Sequence, residues 1–217
     1  LVALQDLTYG VTIARNGGHL GWVSKLQGTG SVGSVALESV ELNETVSRID
    51  VEAVKLVQKA LADAYKSDTD TAFSATAQMP AVASLMEAVP RFVAALPAYA
   101  MKLTARVDGE QGELQYGVEL KSMPDAQQVA EGAWGPALLQ SGALHASLRL
   151  PKAWLPRLAQ AAGTKAPEPQ HLEAMLGMAQ AQGFVQQDGA HLVSAVRMEN
   201  GKVVLNGKEI AVPMGRR

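Results

Sequence analysis

The sequence contains no cysteine, so disulfides, thiolate nucleophiles and cysteine-based metal sites are excluded. Charged residues make up only 18% of it, the formal net charge is -2, and no block of like charge occurs. Aromatic residues are also few, at 5%, and leave little surface for stacking on single-stranded nucleic acid or sugars. No apolar run approaches the roughly 20 residues that span a bilayer. We therefore expect no nucleic-acid partner and no polybasic membrane patch.

Hydrophobic residues are plentiful by contrast, at 47% of a 217-residue chain. That is enough for a buried core in one large or two small domains. The chain begins with Leu1 rather than methionine. We therefore expect a fragment or processed form of a longer protein, from which a signal or anchor segment is missing.

Alternation of apolar and polar residues predicts strands at the start and in the middle of the chain. Residues 1 to 49 are rich in Val, Ser, Thr and Gly, and a turn is expected at Gly17-Gly18. Residues 101 to 120 alternate strictly on both sides of Asp108-Gly109, which predicts a hairpin with one apolar and one polar face. One face of the first strand is predicted to carry Leu7, Tyr9, Val11 and Ile13.

The alternation resumes in the second half of the chain. It predicts a strand at residues 143 to 150 and a meander from Phe184 to Val212. Two Asn-Gly pairs, at 200–201 and 206–207, favour type I′ turns on either side of a short strand, Lys202 to Leu205. Lys208, Glu209 and Pro213 are expected to discourage further pairing at the edge of the sheet.

Four segments are predicted to be helical. Asp50 is a suitable N-cap for a helix at residues 51 to 65. A second helix is expected at residues 80 to 95, beginning at Pro80 and kinked or split by Pro90. Two more are expected at residues 152 to 162 and 169 to 183. Residues 122 to 142 show no clear pattern and are interpreted as a long loop or a short irregular helix.

Helices grouped between antiparallel hairpins predict an α+β fold. We expect a mainly antiparallel, curved β-sheet built from hairpins and meanders, with about four helices packed on one side. Residues 1–66 would hold the first strands and the first helix, and residues 67–217 the helix and hairpin units that end in the C-terminal meander. Together they are predicted to form one continuous elongated domain.

No motif in the sequence indicates catalysis or a cofactor. Gly28, Gly30 and Gly33 match G-x-G-x-x-G, but no helix start follows them, so a bend or bulge in a twisted strand is the better interpretation. The four histidines lack metal-ligand spacing, and no nucleophile motif is present. We therefore predict no enzyme activity, no catalytic, cofactor-binding or metal-binding residues, and no cofactor.

One apolar cluster could bind a ligand. Leu172, Met175, Leu176 and Met178 share a helical segment, and methionine-rich faces adapt to apolar ligands or partner helices. Ordinary core packing against a sheet is the favoured alternative for these four residues.

Three segments, in the right order, resemble the YdgA-like family of bacterial proteins, a domain-of-unknown-function family. They are "VALESVELNETVSRIDVEAVKLVQKAL", "LPAYAMKLTARVDGEQGELQYGVELKS" and the C-terminal "GFVQQDGAHLVSAVRMENGKVVLNGKEI". The resemblance implies the C-terminal portion of a longer protein with an N-terminal anchor, on the periplasmic side of the inner membrane. It implies no reaction and no catalytic residues.

Two functions are compatible with these features. The first is a non-enzymatic envelope domain that acts as a scaffold or interaction module. The alternative is a protein with an apolar groove between sheet and helices that binds lipid or another amphipathic molecule. The two differ in whether the apolar face is filled by side chains or left open. A lipid or an envelope protein is the expected partner, and the sequence leaves the oligomeric state open.

Overall fold

The computed structural model describes residues 2–66, 75–161 and 169–210, and its strands pair into one antiparallel sheet. The ten strands of this part are β1 Val2–Asn16, β2 His19–Val32, β3 Val35–Asp50, β4 Ala98–Val107, β5 Glu110–Leu120, β6 Gly142–Pro151, β7 Gln186–Asp188, β8 His191–Glu199, β9 Lys202–Leu205 and β10 Lys208–Ile210. Their spatial order is β1-β2-β3-β4-β5-β6-β8-β9-β10, and β7 pairs with β8. The prediction of antiparallel pairing is confirmed. β3 pairs with β4, so the sheet joins strands that the predicted boundary at residue 66 would assign to different parts of the chain.

Local turn signals determine most of the sheet connections. Asn16 pairs with His19 across Gly17-Gly18, as predicted. Asn200 and Gly201 have φ values of 52° and 71°, and Asn206 and Gly207 have 49° and 82°. Both central residues of a type I′ turn need positive φ, which Asn and Gly tolerate best. The predicted turns and the short strand between them are confirmed.

The described residues contain six helices: α1 Val51–Lys66, α2 Ala75–Ala94, α3 Ala126–Ala130, α4 Trp134–Ser141, α5 Trp154–Ala161 and α6 Pro169–Ala181. None of them is both long and apolar enough to cross a bilayer. The predicted α+β fold with about four helices is wrong, because the molecule is dominated by one sheet and has two further helices, α3 and α4. Both lie in the unpatterned stretch 122 to 142.

The two missed helices are short and have weak sequence signals. α3 has only five residues, and its start is held by Asp125, whose Oδ1 accepts hydrogen bonds from the backbone N of Gln127 and Gln128, both at 2.9 Å. α4 has no side-chain cap at Ala133. Eight residues give barely two turns of helical periodicity, so tertiary packing determines this element.

The long helices α1 and α2 were predicted, but the start of α2 and a split within it were wrong. Asp50 caps α1 as expected, because its Oδ1 accepts a 2.7 Å hydrogen bond from Ala53 N. α2 begins at Ala75 rather than at Pro80. It is also one helix through Pro90, so the predicted split is wrong. α1 and α2 bury small residues, namely Ala53, Ala60, Ser84 and Ala88.

The register of the strands gives the sheet an apolar face and a polar face. Residues directly opposite one another in neighbouring strands point to the same side of the sheet. The predicted apolar side of the β4–β5 hairpin (Met101, Leu103, Leu114, Tyr116 and Val118) lies on the apolar face. Lys102, Thr104, Glu113 and Gln115 lie on the polar face.

The G-x-G-x-x-G segment lies in and just after a strand, as predicted. Register shifts occur between Gln5 and Thr8 of β1 and next to Gly28 in the β2–β3 pair. A Cβ on Gly28 would lie 2.8 Å from the carbonyl oxygen of Gln5, so a close approach of two strands requires glycine there.

Candidate functional site

The apolar face consists of three parallel rows of side chains that cross the sheet. The first, the leucine row, contains Leu26, Leu42, Leu103, Leu114 and Leu148, one from each of β2 to β6. The second, the middle row, contains Val11, Ser24, Glu44, Met101, Tyr116, Ala146 and Val196. The third, the groove row, contains Ile13, Trp22, Val46, Tyr99, Val118, Leu144 and Met198.

Helix α4 lies over the groove row and leaves a groove beneath it. The groove has a volume of 740 Å³, within the roughly 300–1,000 Å³ of small-molecule sites. Its floor includes Val46, Tyr99, Val118, Leu144 and Met198, and α4 contributes Gly135, Leu138 and Leu139. The lining is almost wholly apolar, so the groove suits a hydrocarbon chain and offers few hydrogen bonds to a polar ligand.

Helix α5 covers a different part of the same face. The buried Trp154 ring packs on Gly112, where a Cβ would lie 2.5 Å from the ring atom Cζ3. Gly112 belongs to the apolar face because it pairs with Ala105, beyond the leucine row. The leucine row therefore lies between the parts of the face that α4 and α5 contact.

Much of the apolar face is uncovered by the described residues. Leu148 of the leucine row and Val118 of the groove row are 42% and 41% exposed, although both lie in interior strands. Exposure is greatest on β1, where Tyr9 and Ile13 are 65% and 69% exposed. Monomeric proteins rarely leave large contiguous apolar surfaces open without a functional reason. A sheet face of this kind is therefore a candidate binding surface.

A polar cluster interrupts the apolar face. We define the Glu44 cluster as Ser24, Glu44, Tyr99 and Tyr116. Glu44 accepts two hydrogen bonds, one from Ser24 Oγ to Oε2 at 3.0 Å and one from Tyr99 Oη to Oε1 at 2.7 Å. The hydrogen bond to Glu44 raises the pKa of Tyr99, since losing the proton would set two negative charges side by side.

The Glu44 cluster adjoins the groove, because Tyr99 belongs to both. The rings of Tyr99 and Tyr116 are 6.3 Å apart between centroids, with an interplanar angle of 56°. An amphipathic molecule in the groove would thus find an apolar floor and, one row away, a carboxylate with two tyrosine rings near it.

The carboxylates of the polar face are arranged differently. Glu41 accepts a 2.7 Å hydrogen bond from Asn43 Nδ2 and lies 3.3 Å from Lys25 Nζ. Glu113 lies 2.8 Å from Lys102 Nζ. The bond from Asn43 lowers the pKa of Glu41 most, whereas the bond from Lys102 lowers the pKa of Glu113 most. Each of these glutamates has a lysine partner. No ion pair to Glu44 occurs within the described ranges 2–66, 75–161 and 169–210.

The predicted ligand-binding residues lie elsewhere, on α6. Leu172 and Leu176 are half-buried, whereas Met175 and Met178 are 56% and 59% exposed. None of the four lines the groove. Their role in ligand binding stays a prediction.

The sequence suggested an apolar groove between sheet and helices, but not the residues that line it. The lining comes from β3, β4, β5, β6 and β8 together with a helix that had no clear pattern. The alternation in each strand identified the apolar side. Only the register of all the strands shows that these sides form one surface.

The described residues offer no arrangement for metal binding, since no three His, Asp or Glu side chains among them are grouped to hold an ion. Ser24, the serine of the Glu44 cluster, donates a 3.0 Å hydrogen bond to Oε2 of Glu44.

Comparison with known proteins gives a family and no function. The model of a family described as bacterial protein of unknown function (DUF945) matches residues 2–213. No curated protein and no solved structure matches significantly.

Proposed function

Since the chain belongs to the DUF945 family of bacterial proteins of unknown function, we propose from the geometry of its groove that it binds the hydrocarbon chain of a lipid or another amphipathic molecule. In this proposal the protein is not an enzyme, and the groove holds its ligand without changing it.

The observation that carries the proposal is the 740 Å³ groove between α4 and the apolar face. A face filled by its own side chains would bury its central residues, as protein interiors are close-packed. Here Val118 and Leu148 stay exposed in the middle of the sheet. Transfer of hydrocarbon from water to such a surface stabilises by roughly 0.8 kcal/mol for each buried CH₂, so a chain of ordinary length supplies enough free energy for tight binding.

We further propose that the chain belongs to the YdgA-like branch and works in the periplasm, tethered to the inner membrane in the full-length protein. The three sequence segments that resemble the YdgA-like family support this setting. A reporter enzyme active only after export, fused to the C-terminus of the full-length gene product, tests it. A fusion protein that is present in the cells but shows no reporter activity would contradict the periplasmic setting.

A scaffold or interaction module is the second candidate. The observation in its favour is β1, a 15-residue edge strand with exposed Leu7, Tyr9, Val11 and Ile13. An edge strand has free backbone N–H and C=O groups that pair readily with a strand from another chain. This function would leave the groove under α4 empty.

Native mass spectrometry of the protein purified from cells, followed by organic extraction, distinguishes the two candidates. Stoichiometric lipid in the purified protein supports the groove. A lipid-free mass, together with no binding of added lipid, would contradict lipid binding and favour the scaffold.

A matched pair of substitutions tests the groove itself. Val118 and Val23 are both exposed strand residues, at 41% and 48%, but Val118 lines the groove and Val23 lies on the polar face. Val118→Asp would bury an unpaired carboxylate under a bound chain. We expect it to weaken lipid binding at least tenfold, about 1.4 kcal/mol, whereas Val23→Asp leaves binding unchanged.

Binding of a neutral fluorescent fatty alcohol provides the measurement, and circular dichroism checks that both variants fold. Equal affinities for Val118→Asp and the unsubstituted protein would show that the chain binds elsewhere.

A further inference from the structure

Glu44 places a carboxylate on a face that otherwise suits a purely apolar ligand. Its row neighbours in the adjacent strands are Ser24 on one side and Met101 on the other. Ser24 is only 4% exposed, so one side of the carboxylate is already shielded from water. A hydrocarbon chain laid over this row would remove more water from the charge.

The two hydrogen bonds of Glu44 do not neutralise it. Hydroxyl groups of Ser24 and Tyr99 hold the two carboxylate oxygens in place, but neither brings a positive charge. The glutamates of the polar face, Glu41 and Glu113, each have a lysine Nζ within 3.3 Å. Covering a carboxylate is unfavourable if nothing of opposite charge replaces the water. A ligand that crosses this row must therefore bring that charge or avoid the row.

We propose that the ligand carries a cationic, ammonium-type group that lies against the Glu44 cluster while its hydrocarbon chain occupies the groove. This inference rests on the proposed function and specifies its ligand class. An ammonium offers several N–H donors to the carboxylate oxygens, each of which has a lone pair free after the bonds to Ser24 and Tyr99.

The two tyrosine rings strengthen the preference for a cation. Tyr99 and Tyr116 lie 6.3 Å apart, and their faces carry the negative potential that attracts ammonium groups. Tyr99 also lines the groove. One residue therefore connects the apolar floor to the polar end of the site, which fits an amphipathic ligand with its head beside its chain.

The test compares three probes with the same dodecyl chain: the amine, the alcohol and the carboxylic acid. Each is titrated by calorimetry below its critical micelle concentration. We expect the amine to bind at least tenfold more tightly than the alcohol, and the acid to bind most weakly because like charges repel.

Two substitutions that each remove one negative charge show whether Glu44 causes the preference for the amine. Glu44→Gln keeps the side-chain size and one acceptor oxygen but removes the charge, and it should make the amine and the alcohol equal in affinity. Glu41→Gln removes the same formal charge from the polar face and should leave the preference for the amine intact. This control separates contact with Glu44 from the general attraction of an acidic protein for amines.

Each outcome bears on the proposal. Equal binding of amine and alcohol to the unsubstituted protein would overturn the ammonium inference and leave the groove standing, and this comparison needs no variant to fold. A preference for the amine that survives Glu44→Gln would also overturn the inference. If none of the three probes binds, the proposed groove function fails, and the inference fails with it.

Discussion

At the scale of single residues, the sequence indicates the side of the sheet on which Glu44 lies but not its partners. Glu44 stands in the polar run Asn43-Glu44-Thr45, yet it alternates with Leu42 and Val46. β3 pairs with β2 without a register shift from Val40 to Val46, so alternation places the carboxylate on the apolar side. Its hydrogen-bond donors Ser24 and Tyr99 come from two other strands, and only the register of those strands brings them to Glu44.

The cap of α1 illustrates the opposite case, a residue whose role is local and therefore predictable. Asp50 Oδ1 accepts a 2.7 Å hydrogen bond from Ala53 N, which otherwise has no partner at the helix start. We expect Asp50→Ala to lower the free energy of unfolding by about 1 kcal/mol. Asp50→Asn keeps an acceptor oxygen and should lower the free energy of unfolding much less. Urea unfolding followed by circular dichroism measures both. If the two variants were equally destabilised, the hydrogen bond would not be the source of the stability.

At the scale of elements, the hairpins were predictable and the short helices were not. The β4–β5 hairpin carries its own turn signal, Asp108-Gly109, and both strands alternate. α4 has neither a side-chain cap nor enough turns for a period, and it forms because Ala137 is fully buried and Leu138 and Leu139 contact the groove. The groove depends on that helix, so the candidate site could not be predicted from the sequence.

The contact of α5 with the sheet gives a prediction at this scale. A methyl group on Gly112 would lie 2.5 Å from the buried Trp154 ring, which is anchored in the fold and cannot shift without moving α5. We expect Gly112→Ala to cost about 1–3 kcal/mol of unfolding free energy and to shift tryptophan emission to the red as Trp154 becomes exposed.

Gly117 offers the matched control in the same strand. A methyl group there would meet the ring of His145, whose side chain is exposed and free to rotate away. Gly117→Ala should therefore lower the free energy of unfolding much less and leave the tryptophan emission unchanged. If both variants lost the same free energy of unfolding, glycine would be required at these positions by the backbone conformation and not by the packing of Trp154.

At the scale of the whole molecule, the sequence predicted that there would be one apolar face but not whether that face is filled. The composition indicates how much apolar surface the chain has. The alternation in each strand indicates the side of the sheet on which that surface lies. Helices decide what lies above this face. Of the six helices in the part of the chain that the structure describes, four were predicted. The two that lie on the face, α4 and α5, have only eight residues each. Two such short helices are too small to cover a sheet whose first three strands have 14 to 16 residues.

The polar face gives the molecule a predictable response to acid. The hydrogen bond from Lys102 lowers the pKa of Glu113, and that from Lys121 lowers the pKa of Glu119, relative to their ordinary value of 4.5. The unfolded chain therefore binds more protons than the folded one in this range. The stability from these pairs is fully present above about pH 4.5 and is lost as the pH falls through the lower pKa values of the folded state.

Glu113→Gln isolates one of these contributions. The side chain of Glu113 is 24% exposed and that of Lys102 is 47% exposed, so solvent screening keeps the expected loss near 0.5–1 kcal/mol at about pH 7. In acid below the lowered pKa of Glu113 the native glutamate is itself protonated, and the variant and the unsubstituted protein should approach equal stability. Urea unfolding at the two pH values measures this, with the exposed Glu173→Gln on α6 as a control that should show little difference at either pH. A loss of the same size at both pH values would mean that Glu113 stabilises the sheet by packing of its side chain and not by its charge.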